Sequence, residues 1–115
     1  MKKNKISEKD KKHILNLRKK AILGIIDILI LNWIKKQPIC GQDIMERILK
    51  EWNIYVGPGT LYPILYNLQN KSLIESKLYN KKRMYFLTKK GKTISIKAKK
   101  DYFKIQKAVL KFLKS

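Results

Sequence analysis

Two glycines and two prolines fall within ten residues at VGPGTLYPIL, residues 56–65, yet helical spacing sets in directly after them. Leu61, Ile64, Leu65 and Leu68 follow the i, i+3, i+4, i+7 pattern of one apolar helix face. Any fold of this chain must therefore hold a helix that begins inside this stretch and begins sharply. Thr60 is the expected N-cap, because its hydroxyl can accept from a free backbone N–H of the first turn. Leu61 is then the first helical residue and Pro63 the third, where proline forfeits no ladder bond because first-turn N–H groups have no helical acceptor. Pro58 and Gly59 shape the loop before the cap. A helix start aimed this way offers free N–H groups and a positive dipole end to an anion.

The other elements fall into place around this one. Residues 1–20 form a basic N-terminal arm carrying Lys2, Lys3, Lys5, Lys9, Lys11, Lys12, Arg18, Lys19 and Lys20, and its first few residues are expected to fray. Ser7 with Asp10 three residues on suggests a helix start, and Ile14, Leu15 and Leu17 suit a short helix seated against something. AILGIIDILILNWI, residues 21–34, is apolar on nearly every side and predicts a central core helix from about Lys19 to Lys36, stopped by Pro38. At 14 residues, with Asp27 in its middle, the run falls short of the ~20 needed to cross a bilayer. Gly41 to Trp52 predicts a second helix with Ile44, Met45, Ile48, Leu49 and Trp52 on or beside its apolar face, and Asn53 to Gly59 reads as a turn.

After Leu73 the period changes to two. Ile74 to Tyr79 and Arg83 to Leu87 alternate across a turn at Asn80, Lys81 and Lys82, which predicts a small β-hairpin with a basic tip. Thr88 caps a closing helix that runs to about Leu113. Along it Tyr102, Ile105, Val109 and Phe112 repeat at coiled-coil spacing, with Phe103, Leu110 and Leu113 as a second stripe. At some 25 residues this helix is ~38 Å long, more than a domain of this size covers on two faces. One stripe is expected to pack on the chain's own core and the other on a second copy, giving a homodimer.

Charge narrows the partner. The 115 residues carry 28 Lys+Arg against 8 Asp+Glu, a formal net charge of +20. Such a chain repels its copies and attracts polyanions, nucleic acid first and an acidic membrane surface as the rival. One histidine, His13, one cysteine, Cys40, and scattered acids supply no catalytic constellation, no metal cluster and no internal disulfide. An enzyme, a cofactor and a metal site are accordingly not expected. Cys40 reads as a small buried residue, with a redox-sensing thiol as the alternative. No secretory signal is apparent, so a cytoplasmic, nucleoid-associated protein is expected.

The expected fold class is mainly α with a small β-hairpin, a winged helix-turn-helix plus a long C-terminal dimerisation helix. Its divisions are 1–20 for the arm, 21–88 for the winged helix-turn-helix and 89–115 for the dimerisation helix. In such an arrangement the third helix enters the major groove and the hairpin tracks phosphates. LNWIKKQPICGQDI, GPGTLYPILYNLQNKSLIES and RMYFLTKKGK resemble the PadR family of winged-helix transcription regulators over about residues 22–95. The resemblance implies a dimeric DNA-binding repressor whose closing helix supplies the dimer contacts. Gln42 follows Gly41 where the family usually has an aromatic, and the hairpin tip lacks the usual glycine. Some members bind flat aromatic drugs with a tryptophan on the closing helix. Here Tyr102 and Phe103 are present without a tryptophan, which leaves a small-molecule effector uncertain.

Candidate DNA contacts follow from the helical wheel. Tyr62, Pro63, Tyr66, Asn67 and Asn70 lie opposite the apolar stripe. Asparagine can pair in two places with adenine, and tyrosine suits phosphates and thymine methyls. Core packing is the alternative for the two tyrosines, and plain solvation for the two asparagines. Gly59, Thr60 and Lys71 are phosphate candidates at the helix ends. From Lys77 to Lys100 ten bases stand with no acid, among them Lys77, Lys81, Lys82, Arg83, Lys89 and Lys90. Lysines at a helix N-terminus oppose its dipole by ~0.3–1 kcal/mol each, so folding alone disfavours Lys89 and Lys90 there and a docked phosphate would favour them. A DNA binder without sequence preference and a basic membrane-surface or protein-interaction module are the remaining readings.

Overall fold

The computed structural model describes residues 5–115, so Lys2, Lys3 and the expected fraying of the first residues lie outside it. From Glu8 onward the arm continues without a break into the apolar run as one helix, α1 (Glu8–Lys36). Ser7 caps it, its hydroxyl accepting from the Asp10 N–H at 3.1 Å. The expectation that α1 is apolar all round in the core is corrected. Only the stripe of Ile22, Ile26, Ile30, Leu31 and Ile34 is buried, while Gly24 and Asp27 face outward and Ile14, Leu15 and Leu17 stand exposed. Apolar composition does not itself bury a face; a face is buried only where another element covers it.

Pro38 pushes Gln37 into extended backbone and ends the helix. A two-residue strand, β1 (Ile39–Cys40), follows, with both side chains buried. Next comes α2 (Gly41–Trp52), with the predicted bounds. Ile44 and Ile48 are fully buried, but Leu49 is 47% exposed and does not join the core face. Trp52 meets Trp33 of α1 with ring centroids 6.3 Å apart. Asn53, left-handed at φ 54°, turns the chain, and Ile54 and Val56 of the connecting segment are buried in the core.

The third helix, α3 (Pro58–Asn70), starts three residues earlier than expected. Thr60 is not its N-cap; Gly57 is, and its carbonyl accepts from the N–H groups of Thr60 and Leu61. Pro58 is the first helical residue, the position where a fixed φ and a missing N–H suit a helix best. Pro63 is therefore the sixth residue and lies inside the helix, where it offers no N–H to the Gly59 carbonyl. The apolar stripe is as expected, with Leu61, Leu65 and Leu68 buried and Ile64 half-buried. Ser72, left-handed at φ 61°, closes α3: its N–H donates to Gln69 and the Leu73 N–H donates to Leu68, the paired bonds of a Schellman end.

The hairpin is β2 (Ile74–Tyr79) and β3 (Lys82–Leu87), and β1 adds a third strand in the order β1-β3-β2. The turn is Asn80–Lys81 alone, with Lys82 already paired to Tyr79. Both turn residues have positive φ, 46° and 67°, as a two-residue type I′ turn requires. Finally α4 (Lys89–Leu113) is capped by Thr88, whose hydroxyl accepts from the Gly91 N–H at 2.9 Å and reaches the Ser72 carbonyl at 2.6 Å. Gly91 lies directly against the Leu73 carbonyl, where no Cβ could fit. The first half of α4 packs on α1, tied by Lys99 to Asn32 at 3.2 Å, and its second half runs free of the core. The N-terminal part of α1 and the second half of α4 are both exposed, and the molecule extends 58 × 33 × 20 Å along its principal axes.

Candidate nucleic-acid interface

Three rows of side chains divide α3. Leu61, Leu65 and Leu68 enter the core. Tyr62, Tyr66 and Gln69, spaced four and three apart, line a cleft against Ser76, Arg83 and Tyr85 of the hairpin. Thr60, Pro63, Asn67 and Asn70, spaced three, four and three, are exposed on the remaining side. Gly59 is exposed beside them. The row of Tyr62, Tyr66 and Gln69 thus neighbours the hairpin, and the exposed polar row adjoins it on α3, with Pro63 and Asn70 three and four residues from Tyr66.

Each candidate residue has a definite place. Tyr66 is 65% exposed and Tyr62 42% exposed, with the Tyr62 ring packed over Gly41 at the start of α2. Asn67 and Asn70 have open side chains. Lys71 ends α3, and its carbonyl accepts from the Lys90 ammonium at 3.2 Å, which brings Lys90 and Lys71 together at the α3–α4 junction. Lys89 is exposed alongside.

On the hairpin the candidates split between two faces. The cross-strand pairs Ile74–Leu87, Ser76–Tyr85 and Leu78–Arg83 put Arg83 on the face toward α3. Lys77 and Lys82 alternate onto the other face, where the Lys77 ammonium lies 5.6 Å from the Phe86 ring centre. Lys81 occupies the tip. Of the expected dimer residues, Ile105, Val109 and Phe112 are exposed, Phe112 by 78%, and Tyr102 is half-buried.

Sequence reasoning did not select Gln69, Ser76 or Tyr85. Arg83 donates to the Ser76 hydroxyl at 3.0 Å, and that hydroxyl donates to the Gln69 side-chain oxygen at 3.3 Å. The i, i+4, i+7 row from Tyr62 through Tyr66 to Gln69 was the available signal, but its neighbour across the cleft depends on tertiary structure. Tyr85 is buried, and its hydroxyl is held above the ordinary tyrosine value by burial and then by Tyr62, with Arg83 opposing. Cys40 is buried too, paired across the sheet with Met84.

The electrostatic balance is one-sided. The 28 bases leave one ion pair within reach among the described residues, Lys11 with Glu8, and that pair is exposed. No helix of the described residues is long and apolar enough to cross a membrane.

A short strand, a helix-turn-helix pair and a β-hairpin that takes the strand into its sheet make a winged-helix fold of the DNA-binding type. Residues 30–95, more than half of the chain, match the transcriptional regulator PadR-like family, and the chain belongs to that family. Solved structures agree. A PadR family transcription regulator from hypervirulent Clostridium difficile is 29% identical with a TM-score of 0.68, over 77% of this chain and 98% of that one. A PadR-like transcriptional regulator from Bacillus cereus is 24% identical with a TM-score of 0.76, over 84% of this chain and 98% of that one. The fold is shared with a winged-helix DNA-binding protein from STIV, 23% identical with a TM-score of 0.61, over 73% of this chain and 91% of that one. Comparison with curated proteins gave no match.

Proposed function

We propose that this chain is a homodimeric repressor that reads double-stranded DNA by sequence. The exposed row Thr60, Pro63, Asn67 and Asn70 enters the major groove, with Tyr62 and Tyr66 at its margin. Gly59, Lys71, Lys89 and Lys90 meet phosphates at the two ends of α3, and the basic residues of the hairpin meet them alongside. The second half of α4, through Tyr102, Ile105, Val109 and Phe112, joins two copies.

The observation that supports this reading most is that α3 keeps Thr60, Pro63, Asn67 and Asn70 exposed while its adjoining row, Tyr62, Tyr66 and Gln69, faces Arg83 of the hairpin. A flank sealed into the core could not reach base edges, whatever the charge. The near absence of internal ion pairs among the described residues supports it, because bases without acid partners remain free to replace phosphate counterions. The exposed apolar second half of α4 supports pairing, since monomeric surfaces rarely present such stripes.

Selection of bound duplexes from random DNA tests the reading. A palindromic motif with half-sites about one helical turn apart is the expected result. Recovery of unrelated sequences bound with equal affinity would leave an architectural DNA binder instead.

A further inference from the structure

We propose that the cleft between α3 and the hairpin seats one phosphodiester of the DNA backbone, gripped by Arg83, and that Ser76 and Gln69 are the residues that position Arg83 for it. This rests on the DNA-binding reading above and separates one residue of the hairpin from the others.

Hairpin register supplies the first argument. Arg83 and Ser76 share the face toward α3, whereas Lys77 and Lys82 lie on the opposite face. Arg83 is therefore the hairpin cation that can act together with α3 side chains at a single point. Hydrogen bonding supplies the second. One guanidinium N–H is committed to Ser76 at 3.0 Å, and Ser76 is itself oriented by Gln69 at 3.3 Å. Arginine presents five donors in a planar fork, so the remaining edge is free to take two oxygens of one phosphate. A side chain held in this way loses less freedom on binding than a loose one.

The surroundings fit the same anion. Tyr62, Tyr66 and Tyr85 line the cleft with phenol hydroxyls that can donate to phosphate oxygens, and no carboxylate lines it. Gln69 stands on α3 and Ser76 on β2, so the relay also ties the reading helix to the hairpin. A phosphate bound there fixes both elements against one strand of the duplex.

The test uses the full-length chain and its selected duplex, with a neutral methylphosphonate placed at one backbone position at a time. In the wild type, one position per half-site should weaken binding strongly; in Arg83→Ala that same position should have no effect. Arg83→Ala should also flatten the dependence of log K on log salt by about 2 for two subunits, since each phosphate contributes about 0.9. Ser76→Ala keeps every charge, yet should lose affinity several-fold and lose the response to that methylphosphonate. Ser76→Thr should restore both, and Ser76→Ala should add nothing to Arg83→Ala. Melting temperatures of the variants separate a folding defect from a lost contact.

An unchanged salt slope in Arg83→Ala, or an equal loss from Ser76→Ala with and without Arg83, would overturn the phosphate seat while leaving DNA binding intact. So would a change of base preference in Arg83→Ala at constant slope. Failure of the wild type to bind any duplex would remove the DNA reading and this inference together.

Discussion

At the tip of the hairpin Lys81 adopts φ 67°, a left-handed conformation that costs a residue with a Cβ about 1–2 kcal/mol and glycine almost nothing. An Asn-Gly pair would suit this turn better for folding alone. Lysine there exchanges stability for a charge at the tip, which accords with phosphate contact. Lys81→Gly should raise unfolding free energy by about 1 kcal/mol in urea titration while weakening DNA binding. A gain in both would separate the tip from binding. Tyr85 gives a second prediction. Its folded-state ionisation lies above the unfolded value, so its contribution to stability is whole below about pH 10 and fades as pH rises through the folded value. Tyr85→Phe should therefore lose less stability than the wild type on going from pH ~9 to pH ~11. The start of α3 shows what a residue-level reading mistakes. Thr60 has the chemistry of a cap, but Gly57 and Pro58 take the first two positions, and proline at the first helical position was a visible signal. Both place the polar row alike, because the stripe from Leu61 to Leu68 sets the face whichever residue caps.

Among the elements, those with long periodic runs were legible in the sequence. The bounds of α2 and the extent of α4 follow from spacing and from the Thr88 cap, and the hairpin follows from alternation. Strand β1 was not legible: two residues carry no period, and Ile39–Cys40 is a strand only because β3 lies beside it. The burial of α1 was misjudged for the same reason, since its partner surfaces are non-local. The cleft residues Gln69 and Ser76 were missed because α3 and β2 meet only after the Ser72 turn. Function divides by element as well. Lys81→Ala with Lys82→Ala should weaken all duplexes alike and flatten the salt slope, which for about four phosphates per subunit is near 7 in the dimer. Asn67→Ala on α3 should instead erode sequence preference, by ~1–3 kcal/mol for a bidentate contact. Affinity over a salt series, on selected and scrambled duplexes, distinguishes the two. Gly91 marks the junction of α3 and α4. Gly91→Ala drives a Cβ into the Leu73 backbone carbonyl and should cost about 2–3 kcal/mol in urea or thermal unfolding. A neutral result would mean that the junction yields.

For the molecule as a whole, a charge of +20 and two uncovered helix ends pull in opposite directions. Repulsion resists self-association, yet Phe103, Ile105, Val109, Leu110, Phe112 and Leu113 remain open along α4. Ile105→Glu with Phe112→Glu should turn the proposed dimer into a monomer in sedimentation equilibrium and reduce binding to a palindrome far more than to a single half-site. A dimer that survives both changes would place the contact elsewhere. The seating of Gly91 on the Leu73 carbonyl carries a consequence for such a pair. In the proposed dimer, bracing of the segment that follows α3 against the base of α4 would make the two heads a caliper of fixed gape. Each base pair inserted between half-sites turns the second one by about a tenth of a revolution, and a stiff instrument has no slack to follow it. Target choice would then be as intolerant of spacing as of spelling.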